Sequence, residues 1–459
     1  MSFVTERVVI VGGGFCGAIV ALHLAREAGK AVEIDIVEPR PLLGGGVAYS
    51  APDTAHRINV PAARMSAFSE DIGHFDRWLR QTDILARDPE TEIAGGHLFP
   101  PRLEFGRYLD ELVRTEATAK AGRLTHRRTR VTAIEGGAVH LEDGEVLQAD
   151  RVVLALSHPP PNLPARLQPL KDDPRLIRDP WRANALDSVP RDGHALIVGT
   201  GLTMADIVAS LAKAGHRGPV TAFSRRGLLP RGHAFEATDL IGDFATDPSP
   251  TALDLLMRIR AEVAKAVGRG LPWQVVLDAV RRDGGTVWGA LSLAERRRLL
   301  RHLRPFWDVH RYRVAPQPEA QLKAWQAEGR LEVMAASLAA VEATEDAVRV
   351  ILRRRRDGKR IEVQAAAIIL ATGPAHDRLF EQIPALAGLA AAGRLEADPL
   401  GLGIAVDPQS RVIDREGKGD DRLWVAGPLA RARFGELMGL PQVLTHSETV
   451  AKSLAELIA

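Results

Sequence analysis

The sequence predicts an α/β protein of two nested units, each an apolar strand, a glycine turn and an apolar helix. A helical insertion interrupts the second unit. Three observations predict this. Arg7-Val-Val-Ile-Val-Gly12 leads into an apolar stretch reaching Leu24, and Ala195-Leu-Ile-Val-Gly199 leads into a similar one reaching Leu211. Three more short apolar runs end in turns, at Val152–Ser157, Ile368–Gly373 and Leu423–Gly427. Runs of that length and composition suit parallel strands covered on both faces. Between Thr238 and Glu328 the pattern changes to helices.

The first unit is expected over residues 1–188, the second over 189–365 with its insertion at about 238–328, and the first resumes over 366–459. Pro159-Pro160-Pro161 and Pro180 mark the exit from the first unit, because consecutive prolines favour an extended connector. In the insertion, Ser249-Pro250 reads as a helix start, with Ser as the cap. Ser292-Leu-Ala-Glu295 reads as a capping box. Three or four helices are expected there, as a lid or as extra packing. Val348 to Val363 reads as a β-hairpin turning at Asp357-Gly358, with Arg353 to Arg356 on a solvated edge.

Composition narrows the function. A chain of 459 residues exceeds one ordinary core and suggests two or three domains. A formal charge of only +2 argues against nucleic acid as a partner. No apolar run approaches the roughly 18 residues that span a bilayer. The first residues lack a secretory signal pattern, so a cytoplasmic enzyme is expected. Cys16 is the single cysteine, which excludes an internal disulfide and a paired redox thiol. His56, His74, His158, His233 and His446 make no ligand spacing, so no metal site is expected.

Gly12-x-Gly14-x-x-Gly17 carries the first chemistry. The first glycine permits the turn, the second admits a pyrophosphate to the backbone, and the third lets helix approach strand. The helix N-terminus then offers its amides to the phosphates. Glu33-Ile-Asp-Ile-Val-Glu38 supplies the next strand, and Glu38 stands where a ribose diol would want an acceptor. Gly199-Thr-Gly201-Leu-Thr203-Met204 repeats the motif with Met204 in the third glycine's place. Its following strand ends in Ser224-Arg225-Arg226, with no acid. Two guanidiniums there suit the 2′-phosphate of NADPH, and Ser224 could add a donor. Gly44-Gly45-Gly46 after the first motif allows close approach to a flat ring, which assigns FAD to the first loop and NADPH to the second. The expected cofactor contacts are Gly12, Gly14, Phe15, Cys16, Gly17, Glu38, Pro39, Gly45, Gly46 and Asn59 at the first loop. At the second they are Gly199, Gly201, Thr203, Ser224, Arg225 and Arg226, with Thr372, Gly373, Gly427 and Pro428 from the closing strands. Cys16 is expected to pack rather than react.

These motifs, with Ala371-Thr-Gly373 and Val425-Ala-Gly-Pro428, resemble the two-dinucleotide-binding flavoprotein superfamily. The segments Gly44–Ser50, Arg57–Ala62, Ser224–Pro230 and Gly427–Leu429 resemble a bacterial family of FAD/NAD(P)-binding proteins. Pro101–Leu109 is similar to a segment of the flavin-dependent amine N-hydroxylases. The resemblance implies two nested Rossmann-like domains and an oxidoreductase in which NADPH reduces FAD. Relatives close the flavin site with Gly-Asp, and here Gly427-Pro428 stands instead, with no carboxylate from Leu429 or Ala430.

Without a second cysteine the electrons are not expected to leave through a disulfide. The expected function is a monooxygenase of class B type, an N-hydroxylase among its forms, taking O₂ and a small polar substrate. The alternatives are a flavin reductase or dehydrogenase serving an organic or protein acceptor, and a non-enzymatic redox sensor. Oligomeric state stays open. Asn59 (for the flavin edge), Arg102 (for a carboxylate or phosphate) and His310 (as acid/base) are the candidate catalytic residues. Around His310, Arg311 or Arg313 is expected to pair with Asp308, and Glu436 to lie on the surface.

Overall fold

The computed structural model describes residues 5–28, 32–119, 123–235, 239–375 and 378–458. Thr238, the expected start of the insertion, lies outside them. Two sheets organise the chain. The first has six strands in the order Arg411–Ile413, Gly419–Val425, Arg151–Leu154, Glu6–Val11, Val32–Val37, Leu124–Arg127. All its pairings are parallel except that of the two C-terminal strands. The helix Phe15–Glu27 covers it and is itself covered by Gln442–Ile458 and Arg102–Ala119. Hence Ala18, Ile19, Val20, Ala21, Leu22 and Leu24 are all buried, which explains an apolar run with no polar face.

The second sheet has seven strands: Leu176–Ile177, Ala367–Leu370, Ala195–Val198, Val220–Ser224, Leu331–Ala343, Val348–Arg354, Arg360–Ala365. It is parallel as far as Leu331–Ala343, and the last two strands form the expected antiparallel hairpin. This corrects two expected boundaries. Ala367–Leu370 was expected in the first unit, yet it pairs with Ala195–Val198 in the second. Leu176–Ile177, placed before the expected boundary at 188, pairs with it too. A uniformly apolar strand says that it is buried on both faces but not in which sheet.

The insertion holds five helices among the described residues: Ala252–Gly268, Gln274–Arg282, Gly284–Ala290, Leu293–His302 and Arg304–Arg311. The next helix, Pro316–Ala327, packs on Leu202–Lys213 and belongs to the second nucleotide unit, so the insertion ends earlier than expected. The first helix is capped by Thr251, whose side chain accepts from Asp254 N, and not by Ser249. Ser292 caps as expected, accepting from Glu295 N, while the Glu295 carboxylate takes Ala252 N and ties two helices together. Among the described residues no helix is long and apolar enough to cross a membrane, and no cluster of three metal-ligating side chains occurs.

Candidate functional site

The two glycine loops are built alike. Gly12 has φ +102° and donates to Val37 O at 3.0 Å, and Ala155 N donates to Val11 O at 3.0 Å. Gly199 has φ +128° and donates to Phe223 O at 2.8 Å, and Ala371 N donates to Val198 O at 2.9 Å. Each glycine therefore sits between its neighbouring strands at the C-terminal edge of a parallel sheet, where such folds bind ligands. A Cβ on Gly12 would stand 2.5 Å from Ala155 O, and one on Gly199 would overlap Ala371 O. The loops differ at the third position. A Cβ on Gly17 would overlap the Gly12 carbonyl oxygen, whereas Met204 is fully buried, so the second helix packs through a side chain.

Gly14 and Gly201 occupy the helix N-caps with no side-chain cap, so the first-turn amides are left for a ligand. Beyond Gly201 and Gly373 a Cβ would meet none of the described residues within 4 Å. Next to Ala371, the Thr372 hydroxyl is buried with no partner among the described residues. Open space, uncapped amides and an orphaned hydroxyl together fit a diphosphate. Thr372 and Gly373 thus stand at the second loop rather than the first. At the first loop, Gly46 (φ +52°) lies against Gly14, where a Cβ would come within 3.0 Å of the Gly14 Cα. Gly44 N donates to Gly13 O at 2.7 Å. Gly44 to Gly46 are thereby folded onto the loop itself.

Glu38 is buried, and its carboxylate accepts from Gly13 N (3.1 Å), Arg40 N (3.0 Å) and Arg40 Nη1 (3.0 Å). A carboxylate offers about four lone-pair sites, so a ribose hydroxyl can still be held. Arg40 gave no signal in the sequence beyond its nearness to Glu38. Pro39 follows in the same turn. Phe15 stacks on Phe105 with ring centroids 5.9 Å apart. Cys16 lies beside Gly427, and burial, relieved partly by a hydrogen bond to Ser447, pushes its thiol up to about 12. Such a thiol is protonated and inert at neutral pH. Gly427 (φ +93°) donates its N–H to His446 Nδ1 at 3.2 Å, and His446 Nε2 bonds Ser410 Oγ at 2.7 Å. His446 is one of the five histidines whose spacing predicts no metal site.

At the second loop, Ser224 shapes the turn. Its Oγ accepts from Gly227 N (2.9 Å) and bonds Thr200 Oγ1 (2.9 Å); the Thr200 proton goes to Leu228 O (2.7 Å), so the Ser224 proton is spent on Thr200 and the residue is a brace rather than the expected third phosphate donor. Thr203 lies in the first turn of the helix Leu202–Lys213. Arg225 is exposed, and the Arg226 guanidinium lies 4.8 Å above the Phe306 ring. The hairpin brings up a third cation: Arg355 Nη1 donates to Arg225 O at 3.2 Å. Arg355 was expected only on a solvated edge.

The helix Arg304–Arg311 touches both sides. Phe306 meets Arg226 of the second unit, while Arg311 and Trp307 bind the Glu436 carboxylate, Trp307 at 3.1 Å. Trp288 Nε1 donates to Ala432 O at 2.8 Å, and Arg281 to Gln442 Oε1 at 2.8 Å. The insertion is thus docked on the segment that follows Gly427. Asp308 pairs with neither Arg311 nor Arg313, contrary to expectation. Arg311 takes Glu436, Arg313 takes Asp278 at 2.7 Å, and Asp308 stands 3.4 Å from Arg304. Glu436 is accordingly an enclosed partner and not a surface residue. About a third of the Asp308 side chain remains accessible, and burial of the rest raises its pKa, with Arg304 opposing; Tyr312 is pushed up to about 12 by burial.

The three candidate catalytic residues do not converge. Asn59 Oδ1 accepts from Ala315 N at 3.3 Å, and its carbonyl bonds His233. His310 Nδ1 bonds Phe306 O at 2.7 Å, and its ring stands edge-on to Trp273 at 4.9 Å. Arg102 is buried, with Nη2 on Asp206 (2.9 Å) and Nε on Arg57 O (2.8 Å), so it is not free for a substrate carboxylate.

Residues 9–159 match a family model described as FAD-NAD(P)-binding. No curated protein matches by sequence. Among solved structures, the chain is similar to the reduced form of an ornithine hydroxylase from Pseudomonas aeruginosa, at 16% identity and TM-score 0.65, over 99% of this chain and 100% of that one. It is similar to an L-lysine 6-monooxygenase from Pseudomonas syringae at 19% identity and TM-score 0.64, with the same coverage. An ornithine N-hydroxylase from Kutzneria sp. 744 follows at 17% identity and TM-score 0.60, again over 99% and 100%. At such identities the likeness is one of fold, and it runs the length of the chain. The expected architecture of two nested Rossmann-like units is the one observed.

Proposed function

We propose that this chain is an NADPH-dependent FAD monooxygenase acting on a nitrogen atom of a small polar substrate. The observation that carries the reading is the pair of like-built glycine loops, with an acid beside the first and a cluster of arginines beside the second. The solved structures of similar fold, named as ornithine and lysine hydroxylases, support the substrate type. Cys16, the single cysteine and with its pKa pushed up to about 12, argues against a thiol exit for the electrons. When bound, the two cofactors supply the redox chemistry: NADPH is oxidised to NADP⁺, and one atom of O₂ enters the substrate while the other leaves as water.

The chain's own residues hold and shield. Gly12 to Gly17 and Glu38 would hold the FAD pyrophosphate and ribose. Gly199, Gly201 and Thr372 would hold the second pyrophosphate. The insertion, fastened at Glu436 and Ala432, would roof the reacting groups and keep out water. In place of His310, the part-accessible Asp308, with its raised pKa, would be the group to exchange a proton with a bound amine. Asp308→Asn should therefore flatten the acidic limb of the kcat–pH profile while leaving flavin content unchanged, and an unaltered profile would remove Asp308 from this role.

The test of the reading is direct. The purified protein should carry FAD, and NADPH should bleach its visible spectrum anaerobically. In air with a diamine amino acid, hydroxylated product should form with matching O₂ uptake. Bleaching followed by turnover only with a quinone or a carrier protein would point to a reductase instead. FAD bound with no response to NADPH would point to a sensor.

Cofactor choice gives a sharper measurement. Arg225, Arg226 and Arg355 would share the 2′-phosphate through charged hydrogen bonds worth about 1.5–3 kcal/mol each. Replacing Arg225 by Ala should raise KM for NADPH by about tenfold or more and leave KM for NADH nearly unchanged. Arg355→Ala should act in the same direction more weakly. Equal losses with both nucleotides would show that these arginines serve structure alone.

A further inference from the structure

The two nucleotide units meet across a cluster of charged and polar side chains that the chemistry above does not use. Arg102 opens the helix Arg102–Ala119 of the first unit, and Asp206 lies in Leu202–Lys213 of the second. Their side chains are 8% and 4% exposed and 2.9 Å apart. The Arg102 guanidinium also lies 5.2 Å from the centre of the Trp181 ring, on the segment between the units. Beside this pair, Ser210 Oγ donates to Asp53 Oδ2 (2.6 Å) and bonds His56 Nε2 (3.0 Å). Lys213 Nζ donates to Asp53 (3.0 Å) and Thr54 (2.7 Å). One face of a single helix, at positions 206, 210 and 213, is thus bonded to the first unit.

Both ends of the ion pair lead straight to a glycine loop. Asp206 is five residues past Gly201, about 7 Å along the helix whose N-terminus forms the second loop. Arg102 is four residues before Gly106, which packs on the Tyr49 carbonyl and Gly45, and Leu109 packs on Gly44. That glycine stretch in turn lies on Gly14 of the first loop. The helix Arg102–Ala119 also packs on Phe15–Glu27, which starts at the first loop. Arg102 is itself fixed, because Arg102 N donates to His56 O, and the neighbouring Arg57 side chain is held by Asp88.

We infer that Arg102 and Asp206 are positioning residues whose ion pair sets the register between the two glycine loops, and with it the separation of the two bound dinucleotides. The inference rests on the two-cofactor reading. A buried ion pair suits this task because its geometry is directional and its desolvated partners have no alternative in water. Because the anchor lies so near each loop, a shift at the ion pair reaches both loops almost undiminished. Electron transfer between cofactors falls off when reacting atoms leave near-contact geometry.

The test uses Asp206→Asn and the double variant Asp206→Leu with Arg102→Met, which removes both charges and leaves neither side chain polar without its partner. Both should bind FAD to the parent level and NADP⁺ within about twofold. Flavin reduction by NADPH, followed anaerobically by stopped flow, should slow tenfold or more in both. A double variant that recovers the parent rate would overturn the inference, since the loss in the single variant would then reflect an orphaned charge. So would a rate kept within twofold in Asp206→Asn. A second readout needs no turnover. Dyes on cysteines introduced at the exposed positions Glu142 and Lys359, in a chain whose single native cysteine is removed by Cys16→Ala, report the distance between units. The distance distribution should broaden in both variants, and an unchanged distribution would overturn the inference. If the parent protein fails to bind FAD or to consume NADPH, the functional reading fails, and the distance measurement still judges the ion pair.

Discussion

Gly17→Ala should purify without flavin and melt below the parent protein. A methyl on Gly17 would overlap the Gly12 carbonyl oxygen, which is backbone and cannot turn aside. The helix Phe15–Glu27 would have to shift away from the loop, but it is buried between the sheet and two helices. Overpacking at such a place costs about 1–3 kcal/mol, and the amides that face the pyrophosphate move with the helix. Gly201→Ala is the instructive contrast. Its Cβ meets none of the described residues within 4 Å, so the fold should be untouched while NADPH affinity drops as the methyl takes the phosphate's space. FAD content measured on the purified variants, with melting temperatures, separates the two cases. Gly17→Ala with full flavin and an unchanged melting temperature would refute the assignment of the first loop.

The contrast between those glycines shows which features the sequence makes legible. Gly12, Gly17 and Gly199 are demanded by contacts with strands whose own sequences are visible, so a short motif states the geometry. Glu38 follows from the end of one strand. What lies between units is silent, because its partners are far apart in the chain. Arg102 and Asp206 are 104 residues apart, and Arg311 and Glu436 are 125 apart. Each arginine has a plausible local role that a remote carboxylate removes. The strand Ala367–Leu370 fails for another reason: its four residues are uniformly buried, so no pattern records its neighbour. Ser224 reads from the sequence as a free donor, but its hydroxyl is already held within the turn by Gly227 N. Thr200, at the neighbouring strand's end, already bonds to it.

Acid should unfold the protein steeply, and His446 should be a main cause. Its neutral ring is fixed as one tautomer: Nδ1 accepts from Gly427 N–H, so Nε2 carries the proton donated to Ser410 Oγ. Burial lowers its pKa to about 4, and burial together with the nearby Arg313 lowers His233 to about 4 as well. In the unfolded chain both return to about 6.5. Between pH 6.5 and 4 the unfolded state therefore binds protons that the native state refuses, so stability is complete above that window and lost as pH falls through it. Each ring contributes about 3 kcal/mol to that loss, against a typical native margin of about 5–15 kcal/mol. Protonating Nδ1 also removes the acceptor of Gly427, at the strand end next to Cys16, so flavin should be released along with unfolding. His446→Gln keeps a donor and an acceptor but cannot titrate. Urea midpoints from pH 4 to 7 should then show a stability slope shallower by close to one proton, about 1.4 kcal/mol per pH unit. Parallel slopes for the parent and His446→Gln would show that this ring is protonated in the native state and that Gly427 is held by other means.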